Sequence, residues 1–238
     1  MIIRKHFRIK ETVTTIIADK KYIPLAEQEI LYQRKCLEEY ILCYPQFALT
    51  FNPFPVGTDA PKIVQRMADA SAKMEVGPMA AVAGAISEYA VRAMIQAGAS
   101  HAIVDNGGDI ALYIDRPVTV GVYSGRRKLN DFALRFLPES TLIGICTSSA
   151  NIGPSISLGK ADAATVISKD VILADAAATA LGNQIQNQDN TVIKAAFKKF
   201  LNSGIQGMII IIEDTIGFAG DIPEIIKMPV DIALITKP

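Results

Sequence analysis

Histidine and cysteine are scarce in this 238-residue chain: His6 and His101 are the only two of the first, and Cys36, Cys43 and Cys146 the only three of the second. Neither histidine stands in a triad context, and a serine nucleophile needs a base, so a serine-hydrolase reading is set aside. The same residues are too few and too badly spaced for a zinc site. An odd number of cysteines without metal-like spacing fits a reducing compartment. The seven-residue step from Cys36 to Cys43 reads as a helix face with buried thiols. Charge of one sign is also lacking. Lys plus Arg total 24 and Asp plus Glu total 24, so the basic excess that nucleic-acid binding needs is missing. Long apolar runs are missing too: the longest unbroken one, residues 208–212, is far too short to span a bilayer. Residues 1–21 alternate charged and apolar side chains, with no signal-peptide core and no early lipid-attachment cysteine. The expectation is a cytoplasmic, unanchored protein.

Hydrophobic residues make up 50% of the chain and charged ones 20%, enough for a core without disulfide or metal staples. The length suits a single domain, or two intimately packed subdomains. Residues 6–18 read as a strand pair. A helix follows from Pro24 with an apolar stripe of Ile30, Leu37, Ile41 and Tyr44, ended by Pro45. A loop rich in proline and phenylalanine spans 45–58. Thr58 and Asp59 ahead of Pro61 read as a helix start. Gly77-Pro78 breaks that helix from a second, small-residue helix running to Gln96, which Gly98 stops. Strands are expected at 102–105, 110–115, 118–123, 142–146 and 164–168. A basic turn lies at 124–128 and a polar loop at 147–154. Helices are expected at 173–186 and after Asp189-Asn190, and two or three strands between 208 and 236. Strands in meanders with helices grouped on one side predict an α+β fold with antiparallel or mixed sheets.

Three short segments could carry chemistry. Asn106-Gly107-Gly108-Asp109 joins two apolar strands. Its glycines permit positive φ and a nest of N–H groups for an anion; an ordinary tight turn is the plain alternative. Asp175 and Thr179 are four apart on a helix, so a carboxylate and a hydroxyl share one face. Mg²⁺ favours such sparse oxygen ligation; the alternative is that Asp175 compensates the start of its own helix. Thr147, Ser148 and Ser149 offer three hydroxyls for phosphate contact, or populate a plain loop. Arg126-Arg127-Lys128 reads as a phosphate contact or a solvated hairpin tip.

Taken in order, GPMAAVAGAISE (77–88), VDNGGDIAL (104–112), GICTSS (144–149) and ADAATVISKDVILADAAATALGN (161–183) resemble the ApbE-like superfamily, over roughly residues 45–220. The characterised members are Mg²⁺-dependent FAD:protein FMN transferases, and the spelling of the first and last blocks resembles a cytoplasmic archaeal and bacterial branch. The resemblance implies an ApbE-like fold, with Asp175, Thr179 and a backbone carbonyl near Ala83 as Mg²⁺ ligands. It places Asn106, Gly107, Gly108 and Asp109 near a flavin nucleotide, and Thr147, Ser148 and Ser149 at the position of a Thr-Ser-Gly loop. Two departures stand out. Ala83-Gly84-Ala85 replaces a Lys-Gly pair, and residues 153–159 compress a histidine-containing segment, with Pro154 where the branch pattern has histidine.

The activity implied is transfer of FMN from FAD to a hydroxyl of an acceptor protein. Mg²⁺ would bridge the pyrophosphate, the positive end of helix 173–186 would help hold phosphate, and Asp109 would assist catalysis. The rival readings are a non-flavin small-molecule protein, such as an accessory in sulfur assimilation and homocysteine formation, and a degenerate, non-catalytic homodimer. A homodimer is the default assembly under all of them.

Overall fold

The computed structural model describes residues 1–125, 132–151, 157–201, 203–229, 231 and 234–236. The basic turn at 126–128 and most of the compressed segment, 153–156, lie outside the described residues.

Two strands open the chain, β1 (Ile2–Ile9) and β2 (Thr12–Asp19), paired antiparallel across a turn in which Lys10 takes φ 48°. Helix α1 (Ile23–Cys43) starts with Pro24 in its first turn and buries Ile23, Ala26, Ile30 and Leu37. A short helix α2 (Gln46–Leu49), α3 (Lys62–Met74), a 3₁₀ turn at Pro78–Ala81 and α4 (Val82–Gln96) follow. Strands β3 (Ala102–Asn106), β4 (Asp109–Ile114), β5 (Val118–Gly121), β6 (Phe132–Phe136), β7 (Glu139–Ser148) and β8 (Ala163–Ser168) come next. Helices α5 (Val171–Gln184) and α6 (Asn190–Phe200) precede β9 (Gly207–Ile212), β10 (Thr215–Gly220) and β11 (Glu224–Lys227).

Eight strands form one sheet in the order β1-β2-β3-β4-β7-β8-β9-β10, and β11-β6-β5 form a second. Every described ladder is antiparallel. The alternation of strand side chains sends residues to two faces. One face of the large sheet, through Ile16, Val104, Cys146, Val166 and Ile210, packs with the helices. The other, through Ile103, Leu112, Ile145, Ile167 and Ile209, packs with Leu134 and Phe136 of the small sheet. The α+β class with helices on one side is therefore the observed one.

Burial explains why α5 is so rich in alanine. It lies against β7, β8, α3 and α4 and is buried almost all round. Gly144 of β7 gives it room: a Cβ there would sit 2.7 Å from the Val171 Cα.

The proline- and phenylalanine-rich stretch is partly helical. Phe47 is fully buried, edge-on to Tyr40 and Phe54 with ring centroids 5.3 and 5.9 Å away. Phe47→Ala is expected to cost about 3–5 kcal/mol in urea unfolding; a loss below about 1 kcal/mol would show that this aromatic cluster is not part of the cooperative core.

Several expectations are corrected. Helix α3 starts at Lys62, because residues ahead of a proline are pushed out of helical conformation; Thr58 and Asp59 belong to a preceding turn closed by Ala60 N–H to Gly57 O. Strand β6 was not foreseen. Strand β7 extends through Thr147 and Ser148, which pair with Thr165 and Ala164, so only Ser149 of the three hydroxyls leaves the strand. Helix α5 starts two residues early because Asp170 caps it, its side chain accepting from Leu173 N–H. Tyr44 and Cys43 are exposed rather than buried, since they fall where α1 ends. No helix among the described residues is long and apolar enough to cross a membrane.

Candidate functional site

The two segments with chemical promise meet on the helix-side face of the large sheet. Residues 106 and 109 are cross-strand partners at the end of the β3–β4 hairpin. Their side chains share the face that carries α4 and α5. The hairpin is closed by Gly107 and Gly108 at φ 68° and 106°, values that a two-residue turn of this hand demands and that suit glycine. The anion-nest reading is limited by a neighbour: Gly108 N–H already donates to Asp105 Oδ1 at 2.9 Å.

Asp109 lies near enough to Asp175 for that charge to raise its carboxyl. Asp175 is 7% exposed, and burial pushes its carboxyl up to about 7 despite N–H donors at Gly84 and Ala83 that favour the ionised form. The carboxyl of Asp109 is pushed well above the usual carboxylate range, first by burial, then by the charge of Asp175; Thr147 N–H opposes this. Among the described residues, no lysine or arginine is a named cause of either acid's shift.

Each acid is tethered by backbone. Asp175 Oδ2 accepts Gly84 N–H at 2.7 Å, and Asp109 Oδ1 accepts Thr147 N–H at 3.3 Å. Asp175 thus does act on a helix start, but on that of α4 rather than its own. The Ala83 carbonyl accepts from Asn106 Nδ2 at 3.3 Å, and Ser87 Oγ holds the Asp109 carbonyl at 2.8 Å. Thr179 lies one turn beyond Asp175 on α5 and is half-buried.

Gly84 is the position that the Lys-Gly departure retains, and its reason is spatial. A Cβ there would lie 2.7 Å from Asp175 Cβ and 2.8 Å from the Val171 carbonyl oxygen. The lysine's place is taken by Ala83.

The start of α5 does not serve phosphate. Its first N–H groups are taken by carboxylates: Val171 N–H by Glu88 and Leu173 N–H by Asp170, each at 3.0 Å. With these N–H groups already engaged, the expectation that the start of α5 holds phosphate is corrected. The helix start that faces the acid pair belongs to α4.

The hydroxyl segment is divided. Thr147 Oγ1 pairs with Thr165 Oγ1 at 2.9 Å. Strand alternation sets both on the face opposite the helices, so only the backbone of Thr147 reaches the acid pair. Ser148 and Ser149 are buried, and Ser148 lies beside Gly182 in the C-terminal half of α5. Beyond them opens a polar cleft of about 570 Å³ lined by Asn151, Lys160, Gln186, Asn187 and Glu213 among others. Cys146 is fully buried, its Sγ 3.6 Å from the Val171 carbonyl. Burial and the acid charges push its thiol well up, which disfavours thiolate chemistry. His101 is buried against Asp115, 3.2 Å away, on the far side of the hairpin strands from the turn.

Two residues of weight were missed. Asp105 holds the turn and is itself held by Thr236 Oγ1 at 2.5 Å; nothing in the sequence linked a residue near the C-terminus to the hairpin. Glu88, fully buried between Arg66 and Arg92, could have been flagged as the lone acid in an otherwise small and apolar helix face.

Comparison with known proteins agrees with this picture. A family model described as "AbpE bacteria" matches residues 4–212. A UPF0280 protein of Methanosarcina barkeri is 47% identical over 99% of this chain and 93% of its own length. One of Methanocella arvoryzae is 48% identical over 97% and 94%. Among solved structures, the flavinyl transferase ApbE of Pseudomonas stutzeri superposes with a TM-score of 0.57 at 10% identity, covering 92% of this chain and 94% of that one. The ApbE protein of Thermotoga maritima gives 0.55 at 13% identity over the whole of both chains. With the hairpin, the trimmed helix contact and the two acids in place, the chain belongs to the ApbE-like superfamily and, within it, with the UPF0280 proteins.

Proposed function

We propose that the protein binds a flavin nucleotide through a divalent cation at Asp109 and Asp175, and that it transfers FMN from FAD to a hydroxyl of an acceptor protein. The observation that carries this reading is the buried acid pair, which has no cationic side chain of its own among the described residues. Two facing carboxylates in a poorly solvated site either retain a proton or attract a cation.

The donors suit Mg²⁺. Among the described residues no group of three or more His, Cys, Asp or Glu is gathered to hold a metal, so any cation would lean on neutral oxygens and water. The Ala83 carbonyl and the Thr179 hydroxyl, one helical turn from Asp175, would supply such neutral oxygens, and sparse oxygen ligation is the habit of Mg²⁺. Bound there, the ion supplies neutralisation of pyrophosphate charge.

The chain's own residues do the rest. The N–H groups of Gly84 and Thr147 orient the two carboxylates, and the Gly107-Gly108 turn sets Asp109 at the sheet's end. The 570 Å³ cleft past the end of α5 has the size of a small-molecule pocket, though neither acid lines it. The titratable groups give no support to a sulfur-based activity, since the one thiol at the site is buried and hard to ionise.

Melting curves with FAD, Mg²⁺ and both together test the reading. A ligand that binds only the folded state raises its melting temperature. A rise with FAD that requires Mg²⁺ is expected; no rise at saturating FAD, with or without Mg²⁺, would refute it.

A further inference from the structure

Helices α4 and α5 cap each other. Gly84 and Glu88 stand one turn apart on α4, and Val171 and Asp175 one turn apart on α5. Asp175 Oδ2 accepts the N–H of Gly84 at 2.7 Å, near the start of α4. Glu88 Oε2 accepts the N–H of Val171 at 3.0 Å, at the start of α5. Two carboxylates thus cross between antiparallel helices at opposite corners of one contact. The glycine at 84 brings the backbones close enough for both bonds to form. Each bond satisfies an orphan N–H that the helix itself cannot pair, and each places an anion at a positive helix end.

The two corners differ in their charge partners. Glu88 is 0% exposed and sits between Arg66 and Arg92. Arg66 also reaches Asp170 at 3.2 Å, the local cap of α5. This corner is therefore a compensated ion network that reaches the surface. The Asp175 corner has no such partner.

We infer that Glu88 is a positioning residue for the acid pair: by fixing Val171 it sets the axial position of α5 and so holds Asp175 against Gly84. A merely structural Glu88 would stabilise the fold as a whole. A positioning Glu88 controls one contact a helical turn away. The functional weight of the latch rests on the cation-site reading, but its existence does not.

Residue-resolved amide hydrogen exchange on the metal-free protein separates the two. Glu88→Gln keeps the size of the side chain, but its single amide oxygen is claimed by the donors Arg66 and Arg92, which leaves the NH2 against the Val171 N–H, so the bond to Val171 is lost. The exchange rate of the Gly84 amide is expected to rise about tenfold or more beyond the change seen in α6, since that amide's protection depends on Asp175. Asp170→Ala removes the local cap of the same helix and is expected to lower the melting temperature while leaving Gly84 no more affected than α6. If Glu88→Gln raises exchange evenly through the protein, or if Asp170→Ala exposes Gly84 equally, the inference is wrong. Should Glu88→Gln fail to fold, Arg92→Met, which leaves Arg66 in place, carries the same expectation at Gly84 and the same contrary result. No flavin or metal enters the experiment, so failure of the proposed function and failure of the latch are read separately.

Discussion

Metal-free protein is expected to lose stability as pH rises from about 5 to about 8, the reverse of ordinary acid denaturation. The cause is Asp175. Burial pushes its folded carboxyl up to about 7, whereas an unfolded aspartate keeps its ordinary value of 3.8. Between those values the folded state holds a proton that the unfolded state has released. Stability is therefore greatest below the unfolded value, falls as pH rises between the two, and levels off above about 7. The full difference is on the order of 4 kcal/mol for a buried carboxyl. Asp109 is raised for the same reasons, so it adds in the same direction. Asp175→Asn can still accept the Gly84 N–H but carries no charge, so the variant is expected to flatten the slope and to melt above the wild type near pH 8. Mg²⁺ is expected to restore the wild type there and to leave Asp175→Asn unchanged. A melting temperature that is flat or rising over this interval, or an equal Mg²⁺ effect on both proteins, would show that the acid pair is not strained by its own charge.

Gly84→Ala is expected to be strongly destabilising for the addition of a single methyl group. The added carbon meets Asp175 Cβ at 2.7 Å and a backbone oxygen at 2.8 Å. Neither is the far end of a flexible side chain, so α4 and α5 must separate. Overpacking of this kind costs about 1–3 kcal/mol, and more where a buried polar bond is lost with it. Both inter-helix carboxylate bonds depend on this approach, so a loss of about 3 kcal/mol or more is expected in urea unfolding, together with loss of any Mg²⁺ response. A variant with near wild-type stability would mean that the helix contact is looser than the geometry states.

The parts of this architecture that were legible in the sequence are those written in local pattern. The NGGD turn announced a hairpin because two glycines between apolar strands leave few other options. The face shared by Asp175 and Thr179 follows from helical spacing alone. Asp189 was legible as a cap because its side chain serves its own helix, accepting from Thr191 N–H. What was hidden is what depends on contacts between distant segments. Asp175 and Glu88 look like ordinary helical acids until the helices are docked, and only then does each prove to serve the other helix. The expectation that α5 would offer its start to phosphate failed for this reason: Glu88, 83 residues away in sequence, already holds it. Thr147 looked like a loop hydroxyl, yet its place in β7 turns it from the helices. Asp105 gave no sign of its tie to Thr236, which joins positions 131 residues apart.

The central claim is that Asp109 and Asp175 form a cation site whose protons must leave before a cation enters. Calorimetric titration of Mg²⁺ into the metal-free protein, near pH 6 and near pH 8 in buffers of different ionisation enthalpy, tests it most directly. Tighter binding at the higher pH, proton release near pH 6, and no binding to Asp175→Asn are expected. Binding that is indifferent to pH and to Asp175→Asn, or no binding at either pH with FAD present, would contradict it.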